Sequence, residues 1–96
     1  FTGRVVKADE AVSIGLALKV CDDVLAEALA MAEAIAQNGP LAVRLAKRAI
    51  LDADGLPLDA ALLSEAQLFG LCFATADQRE GMGAFLEKRK AQFEGR

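Results

Sequence analysis

The sequence predicts an all-α fold of four to five short-to-medium helices with short connections. Alanine and leucine supply 34 of the 96 residues, and both types lose little on entering a helix. β-Branched residues are few, and we find no repeat, low-complexity tract or long linker. With 54% hydrophobic residues the chain is too apolar for disorder, and charges interrupt it too often for a membrane span. One domain at most is expected.

The first predicted helix covers about residues 8–14. Asp9 and Glu10 place negative charge in its first turn, where it suits the helix dipole, and Gly15 marks its end. Residues 16–21 are a brief apolar stretch with one lysine. They predict either a short strand or an extended connector, because periodicity does not distinguish the two at that length.

Two amphipathic helices follow. Asp22 and Asp23 offer an N-cap for a second helix that runs to about Gln37. Its apolar face comprises Val24, Leu25, Ala28, Leu29, Ala32, Ile35 and Ala36. The Asn38-Gly39-Pro40 segment then ends one helix and begins the next, with Pro40 at the first position of a third helix over about 40–53.

The fourth predicted helix, about residues 57–74, is apolar around nearly its whole circumference. Its polar residues after Leu58 are Asp59, Ser64, Glu65 and Gln67. A helix of this kind is buried on more than one side, and a 96-residue helical chain has little interior to bury it. Part of its surface is therefore expected to meet another domain or another subunit.

The last helix is predicted to start at Thr75, with Gln78 three residues on as in a capping box. One helical stripe continues toward the end of the chain through Met82, Phe85, Leu86, Arg89 and Phe93. The Gly81-Met82-Gly83 fragment lies inside this pattern. It favours close helix packing over phosphate binding.

Charge and cysteine content exclude several classes of function. The net charge is −3, which argues against a nucleic-acid partner. Cys21 and Cys72 are far apart and, with no histidine in the chain, predict no metal site but two small buried residues in a reducing compartment. No apolar segment of a signal peptide follows Arg4 and Lys7, so we expect a cytoplasmic protein with no membrane partner.

Few residues suggest catalysis. The absence of histidine excludes Ser/His and Cys/His pairs, and no nucleotide-binding fingerprint occurs. Glu65, midway along the apolar fourth helix, is either an acid or base with a raised pKa or, as we expect, a carboxylate paired with an arginine or with backbone. Two basic clusters predict either a solvated face or an anion site; they are Arg44/Lys47/Arg48 and Lys88/Arg89/Lys90.

Ordered segments along the whole chain resemble the enoyl-CoA hydratase/isomerase (crotonase) family. The last helix carries the family's C-terminal signature, Thr75-x-Asp77-x-x-Glu80-Gly81-x-x-Ala84-Phe85-Leu86-Glu87-Lys88-Arg89 followed by Phe93-x-Gly95. The earlier matches are Phe1-Thr2-Gly3-Arg4, Ala11, Gly15-Leu16, Gly39-Pro40-Leu41-Ala42-Val43, Ala46-Lys47, Ser64-Glu65 and Phe73. The specificity of the resemblance lies in the ordered set of these segments.

The resemblance implies that residues 1–96 are the C-terminal helical domain of a longer enzyme. Family members carry the oxyanion hole and the acid/base carboxylates in an N-terminal spiral core, which these residues do not contain, and assemble as trimers or dimers of trimers. The start at Phe1 without a methionine fits that expectation. We therefore expect no catalytic residue here, no required cofactor, an acyl-CoA substrate, and self-association.

The resemblance also suggests two ligand contacts. In the family, an aromatic residue and a lysine of the last helix reach the adenine-ribose-phosphate end of coenzyme A in a neighbouring subunit, and the matching positions are Phe85 and Lys88. Ordinary core packing remains an alternative for Phe85. The alternative function for the whole chain is a free-standing helical protein-interaction module without catalysis.

Overall fold

A computed structural model describes all 96 residues and confirms the all-α fold, with five helices and no strand. The helices are α1 (Ala8–Ser13), α2 (Val24–Ala36), α3 (Pro40–Ala53), α4 (Leu58–Cys72) and α5 (Ala76–Glu87). The chain divides into two compact units, Phe1–Met31 and Ala32–Arg96, and the boundary falls within α2.

The first unit contains α1 and the start of α2. Gly15, with φ +75°, turns the chain after α1, and the next two amides donate to the Ala11 carbonyl. Residues 16–21 therefore form a tight turn and a connector, and the strand alternative is wrong. The carboxylate of Asp23 accepts the Ala26 amide at 3.0 Å and caps α2, as predicted.

Helices α3 and α4 pack against each other in the second unit. Gly39 is the N-cap of α3 and Pro40 its first residue, which confirms the predicted boundary. The connection between the two helices is only four residues long, from Asp54 to Pro57. Cys21 and Cys72 are free thiols and are half-buried rather than fully buried.

Helix α5 ends earlier than its apolar stripe suggests. Thr75 caps its start, as predicted, by accepting the Gln78 amide at 3.1 Å. The helix stops at Glu87 because Lys88 adopts the left-handed conformation, with φ 55° and ψ 37°. The prediction that Arg89 and Phe93 continue the helical stripe is therefore wrong: residues 88–96, here called the return segment, run back along α5.

Asp77 holds the far end of the return segment. It is only 6% exposed, and its carboxylate accepts the amides of Glu94 at 2.7 Å and Gly95 at 2.9 Å. In return, the main-chain oxygen of Arg96 accepts the Ala76 amide at 2.7 Å and the Asp77 amide at 3.1 Å. The start of α5 thus supplies acceptors for two amides of the return segment, and the return segment supplies an acceptor for the first two amides of α5.

Glu80, one turn further along α5, holds the near end. Its carboxylate accepts Arg89 Nη1 at 2.5 Å, Arg89 Nη2 at 2.9 Å and the Gln92 amide at 2.8 Å. The bond from the Arg89 side chain is the larger cause and the Gln92 amide the second, and together they lower the pKa of Glu80 from 4.5 to about 2. Two parallel bonds between the Arg89 guanidinium and the Glu80 carboxylate fix both the orientation and the separation of the two groups, so the turn that leads from α5 into the return segment is held rigidly.

Two glycines give the return segment its room. A Cβ at Gly81 would lie 3.3 Å from Cε1 of Phe93, and a Cβ at Gly39 would lie 3.7 Å from Cδ1 of the same ring. Phe93 therefore packs between the start of α3 and the middle of α5. Gly81 does allow close packing, as predicted, but its partner is this ring and not another helix.

We expect Asp77→Ala to release the return segment. The substitution leaves the Glu94 and Gly95 amides without their acceptor, which costs about 1–3 kcal/mol and increases local opening about 5- to 150-fold. Limited trypsin digestion, followed by mass spectrometry, should show faster cleavage after Lys88 and Lys90. Asp59→Ala, which removes an exposed carboxylate from the first turn of α4, is the control and should leave the rate unchanged. Equal rates for the two variants would contradict the role of Asp77.

We also expect acid to release the Glu80 contacts. The pKa of Glu80 is lower in the folded chain than its ordinary value of 4.5, so its stabilisation is complete above pH 4.5 and is lost as the pH falls through about 2. A carbon-13 titration of the Glu80 carboxyl should therefore have its midpoint near 2. In Arg89→Gln the midpoint should move back toward 4.5, and an unchanged midpoint would show that Arg89 is not the cause.

Candidate functional site

The two predicted ligand residues lie together at the carboxyl end of α5. Phe85 is 78% exposed, so it is not part of a core within this chain. The Lys88 amide donates to the Phe85 carbonyl at 3.3 Å, and the Arg89 amide donates to the Ala84 carbonyl at 3.0 Å. These bonds close the last turn and fix the backbone on both sides of Lys88. An exposed ring and a lysine thus share one rigid helix end.

Lys88 has an unusual backbone for its residue type. It is the only residue other than glycine with a positive φ. An L-residue in this conformation brings its Cβ close to the backbone and costs roughly 1–2 kcal/mol, which is why glycine usually occupies such a position at the end of a helix. The surrounding hydrogen bonds hold Lys88 there despite that cost.

The three basic residues of this end differ in their partners. Arg89 donates to Glu80 and, through Nε at 2.6 Å, to Glu87, and these two bonds raise the pKa of its guanidinium. Lys88 and Lys90 are exposed and take part in no ion pair. The predicted basic cluster is therefore divided. Its arginine serves the fold, and its two ammonium groups are available to an anion.

The apolar surface around Phe85 is continuous with that of its helix neighbours. Met82 and Leu86, three residues before and one residue after Phe85, are also largely exposed. Side chains spaced in this way lie on one side of a helix. We call Met82, Phe85 and Leu86 the α5 strip. A flat apolar strip beside free lysines suits a ligand with an aromatic ring and a phosphate.

A second apolar surface lies in the groove between α3 and α4. The groove encloses about 710 Å³ and is lined almost entirely by Ala, Leu, Ile and Phe side chains. The exposed large apolar residues of α4 are Leu58, Leu62, Leu63, Phe69 and Leu71. This confirms that α4 has more apolar surface than the chain itself covers.

Glu65 lies on the edge of this groove. It is exposed and forms neither an ion pair nor a side-chain hydrogen bond, so the expectation that it pairs with an arginine or with backbone is wrong. The basic cluster of α3 is also exposed. Arg48 pairs with Asp52 one turn along at 2.7 Å, whereas Arg44 and Lys47 have no acidic partner.

The chain covers little of its apolar surface as a whole. Ala84, 2% exposed, is its one buried hydrophobic residue. The accessible surface is 8043 Å², whereas folded monomers of 10.1 kDa expose about 5,300 Å². Such an excess is typical of a chain that packs against further protein.

The structure contains no cluster of three His, Cys, Asp or Glu side chains that could hold a metal ion. No single helix is long and apolar enough to cross a membrane. Helices α4 and α5 reach that length and hydropathy only together, and they are bent by 79° where they meet.

Sequence reasoning missed the part played by Asp77 and Glu80. Their spacing of three residues puts both carboxylates on one side of α5, and that spacing was the available signal.

Known proteins share both the sequence and the fold. Crotonyl-CoA hydratase of Syntrophomonas wolfei is 50% identical over 97% of this chain, and short-chain-enoyl-CoA hydratase of Clostridium acetobutylicum is 44% identical over 96%. The crystal structure of enoyl-CoA hydratase from Bacillus anthracis superimposes with a TM-score of 0.92 at 41% identity over 99% of the chain. The crystal structure of enoyl-CoA hydratase from Mycobacterium tuberculosis superimposes with a TM-score of 0.89 at 33% identity, also over 99% of the chain.

The match covers this chain fully and its relatives in part. The chain spans 36% of each of the two curated relatives and 38% of each of the two crystal structures. The family model for enoyl-CoA hydratase/isomerase matches residues 1–96, which is every residue described above. The chain therefore belongs to the enoyl-CoA hydratase/isomerase family.

Proposed function

We propose that these 96 residues are the C-terminal helical region of an enoyl-CoA hydratase. In this role they join subunits and contact the coenzyme A end of the substrate, and the complete enzyme adds water across the 2,3 double bond of an enoyl-CoA. The observation that carries the proposal is Lys88, a lysine without an ion pair held in a left-handed turn beside the exposed Phe85.

The backbone of Lys88 supports a role for its side chain. Glycine would relieve the strain at this position, yet a lysine occupies it. A residue that costs stability and forms no ion pair within the chain is a candidate for an external contact. Its ammonium group would offer a point charge to a phosphate of coenzyme A.

Phe85 supports the same ligand. Its ring is solvent-exposed at the end of α5 and presents a flat apolar face, on which the adenine ring can stack. The relatives named above act on crotonyl-CoA and on short-chain enoyl-CoA, so a short acyl-CoA is the proposed substrate. No cofactor beyond the coenzyme A thioester itself is part of the proposal.

The catalytic groups belong to the rest of the enzyme in this proposal. The chain spans little more than a third of the length of its relatives, which supports this division. The α3–α4 groove and the α5 strip supply the apolar area by which the region packs against its own core and against neighbouring subunits, in a trimer or a dimer of trimers.

The exposed groove also favours one alternative, a helical protein-interaction module without catalysis. An apolar groove of about 710 Å³ would accept an amphipathic helix of another protein. The two functions differ in what they require of Lys88, because only the hydratase function needs its charge for substrate binding. Kinetics of Lys88 variants therefore separate them.

We expect Lys88→Ala to raise the KM for crotonyl-CoA in the complete polypeptide that carries these residues. Loss of a charge-assisted phosphate contact corresponds to a rise of about 10- to 100-fold, and kcat should change little because the reacting atoms lie elsewhere. Steady-state hydration of crotonyl-CoA measures both constants. The 96-residue chain alone should show no turnover.

Two further variants sharpen this test. Lys88→Gly should raise KM to the same extent while increasing the melting temperature, since glycine relieves the left-handed strain. Lys90→Ala, at the other free ammonium group, is the matched control and should have a smaller effect. An unchanged KM in both Lys88 variants, or turnover by the chain alone, would contradict the proposal.

We also expect the 96-residue chain to self-associate at micromolar concentration through its apolar surface. Leu62→Glu places a charge in the α3–α4 groove and should shift the sedimentation profile toward the monomer. Gln67→Glu adds the same charge to an exposed position of α4 outside the groove lining, so it should leave the profile unchanged. A monomeric wild-type chain would contradict the expected association.

A further inference from the structure

The least explained feature near the proposed ligand residues is the set of contacts that Glu80 makes. Its two carboxylate oxygens accept three hydrogen bonds, all from the return segment. The proposed function uses Phe85 and Lys88 and leaves these bonds without a role. Asp77 already fastens the far end of the segment by two bonds, so the Glu80 contacts are not needed simply to keep the segment in place.

The Glu80 contacts hold the chain directly after Lys88, the residue with the unpaired ammonium group. Lys88 lies in the turn between α5 and Arg89. Its own amide is bound to the Phe85 carbonyl at 3.3 Å, and the amide of Arg89 is bound to the Ala84 carbonyl at 3.0 Å. The Arg89 guanidinium is then tied back to the helix by Glu80. The backbone that follows Lys88 is thus fixed by both the main chain and the side chain of the next residue.

From this arrangement we propose that Glu80 is a positioning residue: through Arg89 and the Gln92 amide it holds Lys88 in the left-handed turn that directs its ammonium group to the coenzyme A phosphates. The proposal rests on the proposed function and adds to it a residue that does not touch the ligand. Without the Glu80 bonds, Lys88 would relax to a less strained backbone, and its side chain would leave the helix end in another direction.

Electrostatics alone predicts the opposite change in KM when the Glu80 charge is removed. A carboxylate near a phosphate subsite repels the ligand, so its removal should strengthen binding if only charge mattered. A positioning role predicts that the same removal weakens binding. The sign of the change in KM therefore distinguishes the two explanations.

Glu87 provides a matched control. It also pairs with Arg89, through Nε at 2.6 Å, but it receives one bond from the guanidinium and accepts no backbone amide from the return segment. Glu87→Gln removes the same unit of charge from the same arginine as Glu80→Gln. It leaves the bidentate bond and the Gln92 amide contact with Glu80 in place.

The experiment measures KM for crotonyl-CoA and for crotonyl-pantetheine, which lacks the nucleotide and its phosphates, in the complete polypeptide. In Glu80→Gln, KM for crotonyl-CoA should rise about three- to tenfold relative to KM for crotonyl-pantetheine. In Glu87→Gln the ratio of the two constants should stay the same or fall. Arg89→Lys, which keeps every charge but loses the bidentate fork, should raise the ratio in the same direction as Glu80→Gln.

Each outcome decides the proposal. A fall or no change in the ratio for Glu80→Gln, or equal effects of Glu80→Gln and Glu87→Gln, overturns it. A general loss of folding would lower activity toward both substrates without changing the ratio, and it would overturn the proposal as well. If Lys88→Ala raises KM for crotonyl-CoA and Glu80→Gln does not, only the positioning role of Glu80 fails. If Lys88→Ala has no effect, the ligand role of Lys88 fails and the role of Glu80 fails with it.

Discussion

The buried carboxylate of Asp77 is the interaction on which the return segment and the start of α5 depend. It accepts two amides of the return segment, and its own helix start is closed by the Arg96 main-chain oxygen. A buried carboxylate is costly unless its oxygens are bonded, so the segment and the helix each require the other. Phe93 packs beside this junction against Gly39.

The other surfaces of the chain are apolar and exposed, in contrast to the hydrogen-bonded junction at Asp77. The α3–α4 groove and the α5 strip leave large apolar side chains in water, and only Ala84 forms a buried hydrophobic core position. Hydrophobic burial is the main favourable term in folding, and this chain has little of it. The hydrogen bonds around α5 define the structure of that helix and of the return segment.

Local chemistry made most of the fold predictable, and tertiary bonds account for the failures. The caps at Asp23 and Thr75 and the start at Pro40 depend on neighbours in sequence, and the structure confirms them. The spacing of Arg89 and Phe93 keeps a helical period and so predicts too long a last helix. The bonds to Asp77 and Glu80 that fold this segment back join residues 9 to 18 positions apart, which the local pattern does not show. Glu65 fails for another reason: the position of a carboxylate on an apolar helix predicts burial with a partner, whereas the side chain is exposed. The resemblance suggested Phe85 and Lys88 as ligand contacts, and the structure adds their exposure and the strain at Lys88.

The return segment also makes residues 76–96 a closed loop, since the amide of Ala76 and the main-chain oxygen of Arg96 lie 2.7 Å apart. The entropy of closing a loop grows only slowly with its length, and the bonds that close this one join residues within a single short stretch. The loop therefore brings its two ends to one point, where the Arg96 main-chain oxygen accepts the first amides of α5.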